Sequence, residues 1–365
     1  MKAFNANERS LVGLSRSVRA AIVVPSLIAL ALLVIKQPEL VGFAVFGTFI
    51  HQVLVNYDGA GAIRLVQSAM LTFLGAIMVS LGTLVSETVW LAVCGALAAG
   101  FLSELSALAS GRVAAIRKAL LLSFMCAVAV PAPARSLFAY LAGWLMAGVT
   151  AQPALLLIWI PLQNSGAAGE GANSHGCANA VATLDRSNWT EIAVRVGLAM
   201  GLAVLLTRVL KTEHAFWVAL GVALVLSASG GSAVRTFRQE QAGTLIGFSV
   251  SAFVVATVGP HQSWYWLILP FVVFGSSYAA SAVGFIAGQA AFTLFAAVLF
   301  CVLLPQQTRT GILRLEDIAI GGAVSLIVGS LLRLGVAATY REGLKTPAIS
   351  MSDKSFCKGE ASGQS

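Results

Sequence analysis

The chain has 365 residues, of which 58% are hydrophobic and only 10% are charged, and its formal net charge is +8. So few charges cannot cover a globular surface in water, which excludes an ordinary soluble domain and predicts an all-α integral membrane protein. Basic residues lie mainly at the ends of apolar runs. They therefore indicate cytoplasmic loops, and we expect membrane lipids as partners and no nucleic acid.

Apolar runs predict about twelve transmembrane helices, because a spanning helix needs about 20 largely apolar residues. Six are predicted in the first half, near residues 19–35, 39–56, 63–85, 88–109, 113–130 and 136–160. Six are predicted in the second half, near residues 190–209, 214–229, 239–258, 264–282, 284–303 and 313–335. The break near Gly284 is inferred from the first half more than from the local sequence. The first run lacks a small-residue cleavage pattern after it, so we expect an uncleaved first span.

Two polar segments interrupt this apolar pattern. Residues 162–189 are rich in Gly, Asn, Ala and Ser, which predicts a flexible linker. His175 and Cys177 lie there, but two potential ligands in a flexible loop are not enough to predict a metal site. The five cysteines include no close pair, which argues against a disulfide framework and against zinc. Residues 336–365 are polar and basic, which predicts a disordered C-terminal tail.

The two halves, residues 1–161 and 190–335, are predicted to be repeats. Arg64 pairs with Arg235, Gly75 with Gly247, Trp90 with Trp266 and Pro131 with Pro305, all at similar separations. Six spans per half is an even number, so both halves would enter the membrane from the same side. The expected fold is two six-helix parallel repeats related by an axis along the membrane normal.

Loop charges predict the orientation of this arrangement. With the N-terminus inside, 17 of the 23 Lys and Arg residues fall on the inner side of the membrane. This bias predicts that both termini are cytoplasmic. The six that fall outside are Lys36, Arg135, Arg208, Lys211, Arg309 and Arg314.

The stretch from Glu213 to Gln241 has a distinctive order of features. It starts with His214, Phe216 and Trp217, continues as an apolar run and a small-residue turn, and then reaches Arg235 and Arg238. A Gly-bearing span follows. This order resembles the fusaric acid resistance protein family, which overlaps the aromatic acid exporters and is distantly similar to plant aluminium-activated malate transporters.

The resemblance is good over about 190–335 and poor over 16–160, where Gln37, Pro38 and Glu39 replace the His-aromatic start. It implies a multi-pass transporter of the bacterial inner membrane that exports organic anions, often aromatic carboxylates. Longer relatives carry a sizeable soluble domain, and some work with a periplasmic adaptor. Only the short linker stands in that place here, which leaves an adaptor and a homo-oligomer open.

An exporter of anions needs fixed positive charge on its path, because an unpaired carboxylate is costly in a medium of low dielectric constant. Arg64, Arg235 and Arg238 are the candidates, since each lies just inside the cytoplasmic end of a predicted span. A guanidinium binds a carboxylate through two parallel hydrogen bonds. The alternative is that these charges only set the topology.

Further candidates are aromatic or titratable. His214, Phe216 and Trp217 either stack on an aromatic substrate or form an interfacial belt. Glu104, within the fourth predicted span, either carries a coupling proton or ends a helix. His51, in the second predicted span, either relays protons or hydrogen-bonds to a neighbouring helix.

The leading hypothesis is therefore a secondary exporter of organic anions, with aromatic carboxylic acids as candidate substrates and the proton gradient as driving force. No Walker motif, HExxH or GxSxG occurs, so we expect no cofactor, no metal and no enzymatic activity. A gated anion channel is the alternative within transport. A lipid-modifying intramembrane enzyme is the alternative from another class, for which only the isolated His51 and Glu104 are available.

Overall fold

The computed structural model describes residues 6–55, 57, 61–106, 111–129, 131–164, 186–212, 215–226, 232–259, 261–303 and 316–331, which form helices and contain no strand. The first-half helices are α1 (Ala6–Ala29), α2 (Pro38–Phe49), α3 (Gly61–Ser86), α4 (Val89–Leu105), α5 (Gly111–Ala129) and α6 (Leu137–Asn164). The second-half helices are α7 (Arg186–Leu210), α8 (Phe216–Leu226), α9 (Ser232–Val258), α10 (Gln262–Ala282), α11 (Phe285–Leu303) and α12 (residues 316–331).

These helices follow the predicted runs in order, with differences at their ends. α6 continues to Asn164 and α7 begins at Arg186, so both ends of the predicted linker are helical. Residues 165–185 and the predicted tail lie outside the described residues. The predicted break near Gly284 is confirmed, because α10 ends at Ala282 and α11 begins at Phe285. Gly284 has a φ of +134°, a conformation that residues with a Cβ rarely adopt.

Helix length and composition support a multi-pass membrane protein. Within the described part of the chain, five segments are long and apolar enough to cross a membrane, and Glu39–Leu54 and Val89–Leu105 are shorter apolar helices. α8 has only eleven residues. Twelve spans therefore remain a prediction. The five longer segments are Gly13–Ile35, Gly61–Ser86, Trp189–Leu210, Ala233–Val258 and Phe285–Leu303.

The chain divides into two compact units, Met1–Val328 and Gly329–Ser365, and every contact below lies within the first. Helices of the two sequence halves pack against each other there: α4 packs extensively on α7, and α1 packs on α10. Small residues allow the first contact. A Cβ added to Gly100 would lie 3.0 Å from the Cα of Gly197, so α4 and α7 approach backbone to backbone.

Some helix contacts recur in both halves. With six helices per half, α7 is the counterpart of α1, α8 of α2, and so on. The contact of α1 with α10 then corresponds to that of α7 with α4, and the contact of α3 with α5 corresponds to that of α9 with α11. Gly143 of α6 faces backbone atoms of Leu40 and Ala44 in α2, and Gly321 of α12 faces the matching atoms of Val218 and Val222 in α8. Each counterpart lies 178 positions later (321 − 143, 218 − 40 and 222 − 44). These matched contacts favour the predicted duplication.

Polar groups at the helix ends are bonded within the bundle. Thr48 and Thr83 donate their hydroxyl hydrogens to carbonyl oxygens four residues earlier, as hydroxyls in apolar helices usually do. Arg208, at the end of α7, donates to the carbonyl oxygens of Ser86 and Val128, each at 2.8 Å. Its guanidinium therefore joins the C-terminal ends of α3, α5 and α7, where carbonyl groups lack helical partners.

Candidate functional site

Three guanidinium groups come together beside the start of α3. Arg16 and Arg19 lie three residues apart on α1, and Arg64 lies in the first turn of α3; all three are half-buried. Arg16 and Arg64 lie close enough to Arg19 for their charges to act on it, and the Tyr57 hydroxyl lies near it too. Like charges at close range repel each other, and burial raises the cost. These three residues are called the guanidinium cluster (Arg16, Arg19 and Arg64), and their positive charge is complementary to an anion.

Tyr57 links the guanidinium cluster to the helix interior. Its hydroxyl lies 3.0 Å from Nδ1 of His51 and also bonds to the Ser68 side chain. Gln152 of α6 donates to Oγ of Ser68 at 3.0 Å. Burial raises the pKa of the Tyr57 hydroxyl well above its usual range, so this hydroxyl stays protonated and can donate to His51.

The end of this hydrogen-bond chain carries buried polar atoms that have no partner among the described residues. α2 continues as a π-helical turn over Ile50–Leu54, which contains His51 and Gln52. Both side chains are 1% exposed. Nε2 of His51, both amide atoms of Gln52 and Nε of Arg19 are buried without a hydrogen bond to a described residue. An unpaired buried polar atom costs about 1–3 kcal/mol, so these atoms favour a polar ligand or water.

Aromatic rings adjoin this polar region. Phe49, one turn or less from His51 and Gln52, stacks on Phe292 of α11 at 4.7 Å between ring centroids. Phe46 of α2 meets Phe216 of α8 edge to face at 3.9 Å. Rings from three helices thus form one surface next to unpaired polar atoms. This aromatic cluster comprises Phe46, Phe49, Phe216, Trp217, Phe292 and Phe295.

The predicted aromatic start of α8 belongs to that cluster. Trp217 is buried and lies 5.9 Å from the Phe292 ring, and Phe216 is half-buried. These rings therefore lie against other rings inside the bundle, and stacking on an aromatic substrate stays a prediction. Trp90 and Trp264, exposed at 70% and 56%, have the character of belt residues instead. His214 lies outside the described residues.

The other predicted candidates lie apart from the guanidinium cluster. Arg235 and Arg238 are exposed on the first two turns of α9. Glu104 lies in the last turn of α4 and accepts a hydrogen bond from Arg117 of α5 at 2.7 Å. Glu104 is thus paired with Arg117, and its role in proton coupling stays a prediction.

Two buried carboxyl groups are stronger candidates for binding a coupling proton. Glu240 of α9 is 0% exposed and Asp317 of α12 is 4% exposed. Glu240 lies on the same face of α9 as the buried Thr244 and Ser251. Carboxyl groups inside an apolar bundle are costly when charged and are usually functional.

Sequence reasoning missed part of this arrangement for identifiable reasons. Arg16 and Arg19 belong to the basic residues at the ends of apolar runs, which indicate cytoplasmic loops, and Tyr57 lies in a short connection without periodicity. The helical spacing of Arg16 and Arg19 was the available signal. The proximity of α1, Tyr57 and α3 depends on packing that the sequence does not display.

Comparison with known families agrees with the motif. Residues 202–328 match the family model described as fusaric acid resistance protein-like, which confirms the predicted resemblance over this part of the chain. No curated protein and no solved structure matches the chain. The match covers α8 to α11 completely and includes Phe216, Trp217 and Glu240, whereas the guanidinium cluster lies outside it.

Proposed function

We propose that this multi-pass membrane protein, whose second half matches the fusaric acid resistance protein-like family, is a secondary exporter of organic anions. Aromatic carboxylic acids are the proposed substrate class, and the bacterial inner membrane with both termini in the cytoplasm is the proposed location. Twelve spans in two parallel repeats are the proposed architecture. The matched glycine contacts of α2 with α6 and of α8 with α12 support that duplication.

The observation that carries the proposal is the junction of the guanidinium cluster with unpaired polar atoms and aromatic rings. Arg16, Arg19 and Arg64 supply the positive charge for a carboxylate that arrives from the cytoplasm. His51 and Gln52 offer the next hydrogen-bonding atoms, and the aromatic cluster offers ring surface beyond them. An aromatic carboxylate combines an anionic group, which the arginines would bind, with a ring that would stack on the aromatic cluster.

Proton coupling is assigned to Glu240. Glu240 is 0% exposed, and a carboxyl group inside a membrane span is usually functional. Glu240 is on α9, within the family match and within a segment long enough to span the membrane. Release of its proton towards the cytoplasm in each cycle would couple export of the anion to the proton gradient.

The test is transport by the purified protein in liposomes. We expect labelled benzoate to be transported in response to an imposed pH gradient, and Arg19→Gln to reduce the rate about 10- to 100-fold, because a hydrogen bond to a charged group is worth about 1.5–3 kcal/mol. Lys211→Gln, an exposed residue after α7, is the matched control and should transport normally.

The same preparation distinguishes the alternatives. A gated anion channel would give voltage-dependent currents far above the turnover of an exporter and no dependence on the pH gradient. A lipid-modifying enzyme would change the liposome lipids without moving benzoate. Either result, or normal transport by Arg19→Gln, would contradict the proposal.

A further inference from the structure

A groove of about 620 Å³ lies between α9 and α11, and its lining residues do not include Arg16, Arg19 or Arg64. Its walls are almost wholly apolar, and Gln239 is the polar residue among those that line it. Ile246, Val250 and Val283, which line it, are 51%, 43% and 72% exposed. In a membrane protein such an exposed apolar surface faces lipid, so the groove opens towards acyl chains.

The close approach of the two helices shapes the floor of the groove. A Cβ on Gly243 would lie 2.6 Å from the carbonyl oxygen of Ile286, and a Cβ on Gly247 would overlap backbone atoms of Ala290. The backbones therefore touch, while the small side chains of Ala287 and Ala291 leave space on the outer side. The result is a narrow channel along α9 rather than a flat face.

One end of the groove is positively charged. Arg235, Gln239, Ile246 and Val250 follow one another at spacings of four, seven and four residues, which places them in one stripe along α9. The exposed Arg235 is thus one turn beyond the groove-lining Gln239, and the exposed Arg238 is adjacent. Apolar walls with guanidinium groups at one mouth match an amphiphile with an anionic head.

We propose that the groove between α9 and α11 binds one acyl chain of an anionic phospholipid, with the lipid phosphate at Arg235 and Arg238. Under the predicted orientation these arginines face the cytoplasmic leaflet, where anionic lipids attract basic residues next to the membrane. Val283 and Gly284, which connect α10 to α11, also line the groove. This site is separate from the proposed transport path and does not depend on it.

Lipid retention by the purified protein tests the proposal. Protein stripped of lipid in a neutral detergent is titrated with phosphatidylglycerol or phosphatidylcholine of the same chain length, and bound lipid is counted by native mass spectrometry. We expect one phosphatidylglycerol to be retained roughly tenfold more tightly than phosphatidylcholine. The Arg235→Gln/Arg238→Gln variant should lose this preference but keep weak binding of both lipids.

Two tryptophan substitutions separate the groove from the general surface. Val250→Trp fills the groove and should abolish tight retention of both lipids. Leu245→Trp, an exposed position of α9 that does not line the groove, should bind as the wild type does. Equal retention of the two lipids by the wild type, or normal retention by Val250→Trp, would overturn the proposal.

The mass spectra also report on a competing occupant. A wild-type dimer that Val250→Trp dissociates would show that a second copy of the chain fills the groove, and would overturn the assignment to lipid. Benzoate transport by Val250→Trp distinguishes this site from the proposed function. Transport should persist when the lipid is lost.

Discussion

Arg64 and Arg235 have the same position in their helices, the fourth residue of α3 and of α9, yet their surroundings differ. Arg64 is half-buried beside Arg19, with Tyr57 and the His51 hydrogen-bond chain next to it. Arg235 is exposed at the end of an apolar groove. Matching positions in the two predicted repeats therefore differ in their surroundings.

The difference arises from the neighbouring elements. α1 brings two further arginines to Arg64, and the connection before α3 contributes Tyr57. At α9 the buried face carries Glu240 instead, and the arginines remain on the outside. We infer that the first half supplies anion capture and that the second half supplies proton binding and a lipid contact.

The largest expected effect separates the two arginine pairs. Arg19→Gln/Arg64→Gln should reduce benzoate transport at least 100-fold, because two charge-assisted hydrogen bonds to the carboxylate are lost. Arg235→Gln/Arg238→Gln should retain transport within about threefold, since surface charges contribute little. Initial rates in liposomes measure both. The reverse ranking would move anion capture to α9.

The second prediction compares two carboxyl groups. Glu240→Gln should abolish the response of transport to a pH gradient, a loss of tenfold or more, while exchange of internal for external benzoate persists. Glu104→Gln should keep the pH response, because Glu104, in the last turn of α4, is paired with Arg117. Benzoate transport rates of both variants, measured with and without the pH gradient, test this difference. An unchanged response in Glu240→Gln would remove this residue from proton coupling.

The third prediction concerns the duplicated glycine contacts. Gly143→Ala and Gly321→Ala should each lower the free energy of unfolding by about 1–3 kcal/mol, because each methyl group meets the backbone of a neighbouring helix. Gly42→Ala and Gly275→Ala, which have no atom within 4 Å of the new methyl, are the controls. Thermal unfolding in detergent measures all four variants. If only one of Gly143→Ala and Gly321→Ala lowered the stability, the result would argue against equivalent packing in the two halves.

The smallest effect is expected at Arg208. Arg208→Met should lower the free energy of unfolding by about 1–2 kcal/mol, since the carbonyl oxygens of Ser86 and Val128 lose their donor. Transport should remain normal because Arg208 contacts the C-terminal end of α3, whereas Arg64 of the guanidinium cluster lies in the first turn of the same helix. Lys211→Met should be neutral in both assays. A stability equal to wild type would show that water replaces the guanidinium.

The sequence predicted the helices better than it predicted the site. Apolar length indicates a helix at each position without reference to its neighbours, and glycine at position 284 marks a break because its backbone conformation is local. The guanidinium cluster depends on which helices are in contact. The proximity of α1 to the connection that contains Tyr57 cannot be predicted from the spacing of apolar residues in either segment. Arg235 was ranked with Arg64 because the two match in sequence, while their difference in burial is a tertiary property.

The most direct test of anion capture at the guanidinium cluster is equilibrium binding of labelled benzoate to the purified protein, measured without a gradient. Arg19→Gln should bind about tenfold or more weakly than the wild type, and Arg235→Gln should bind equally well. If Arg19→Gln binds benzoate as tightly as the wild type does, the cluster of α1 and α3 is not where the anion is captured.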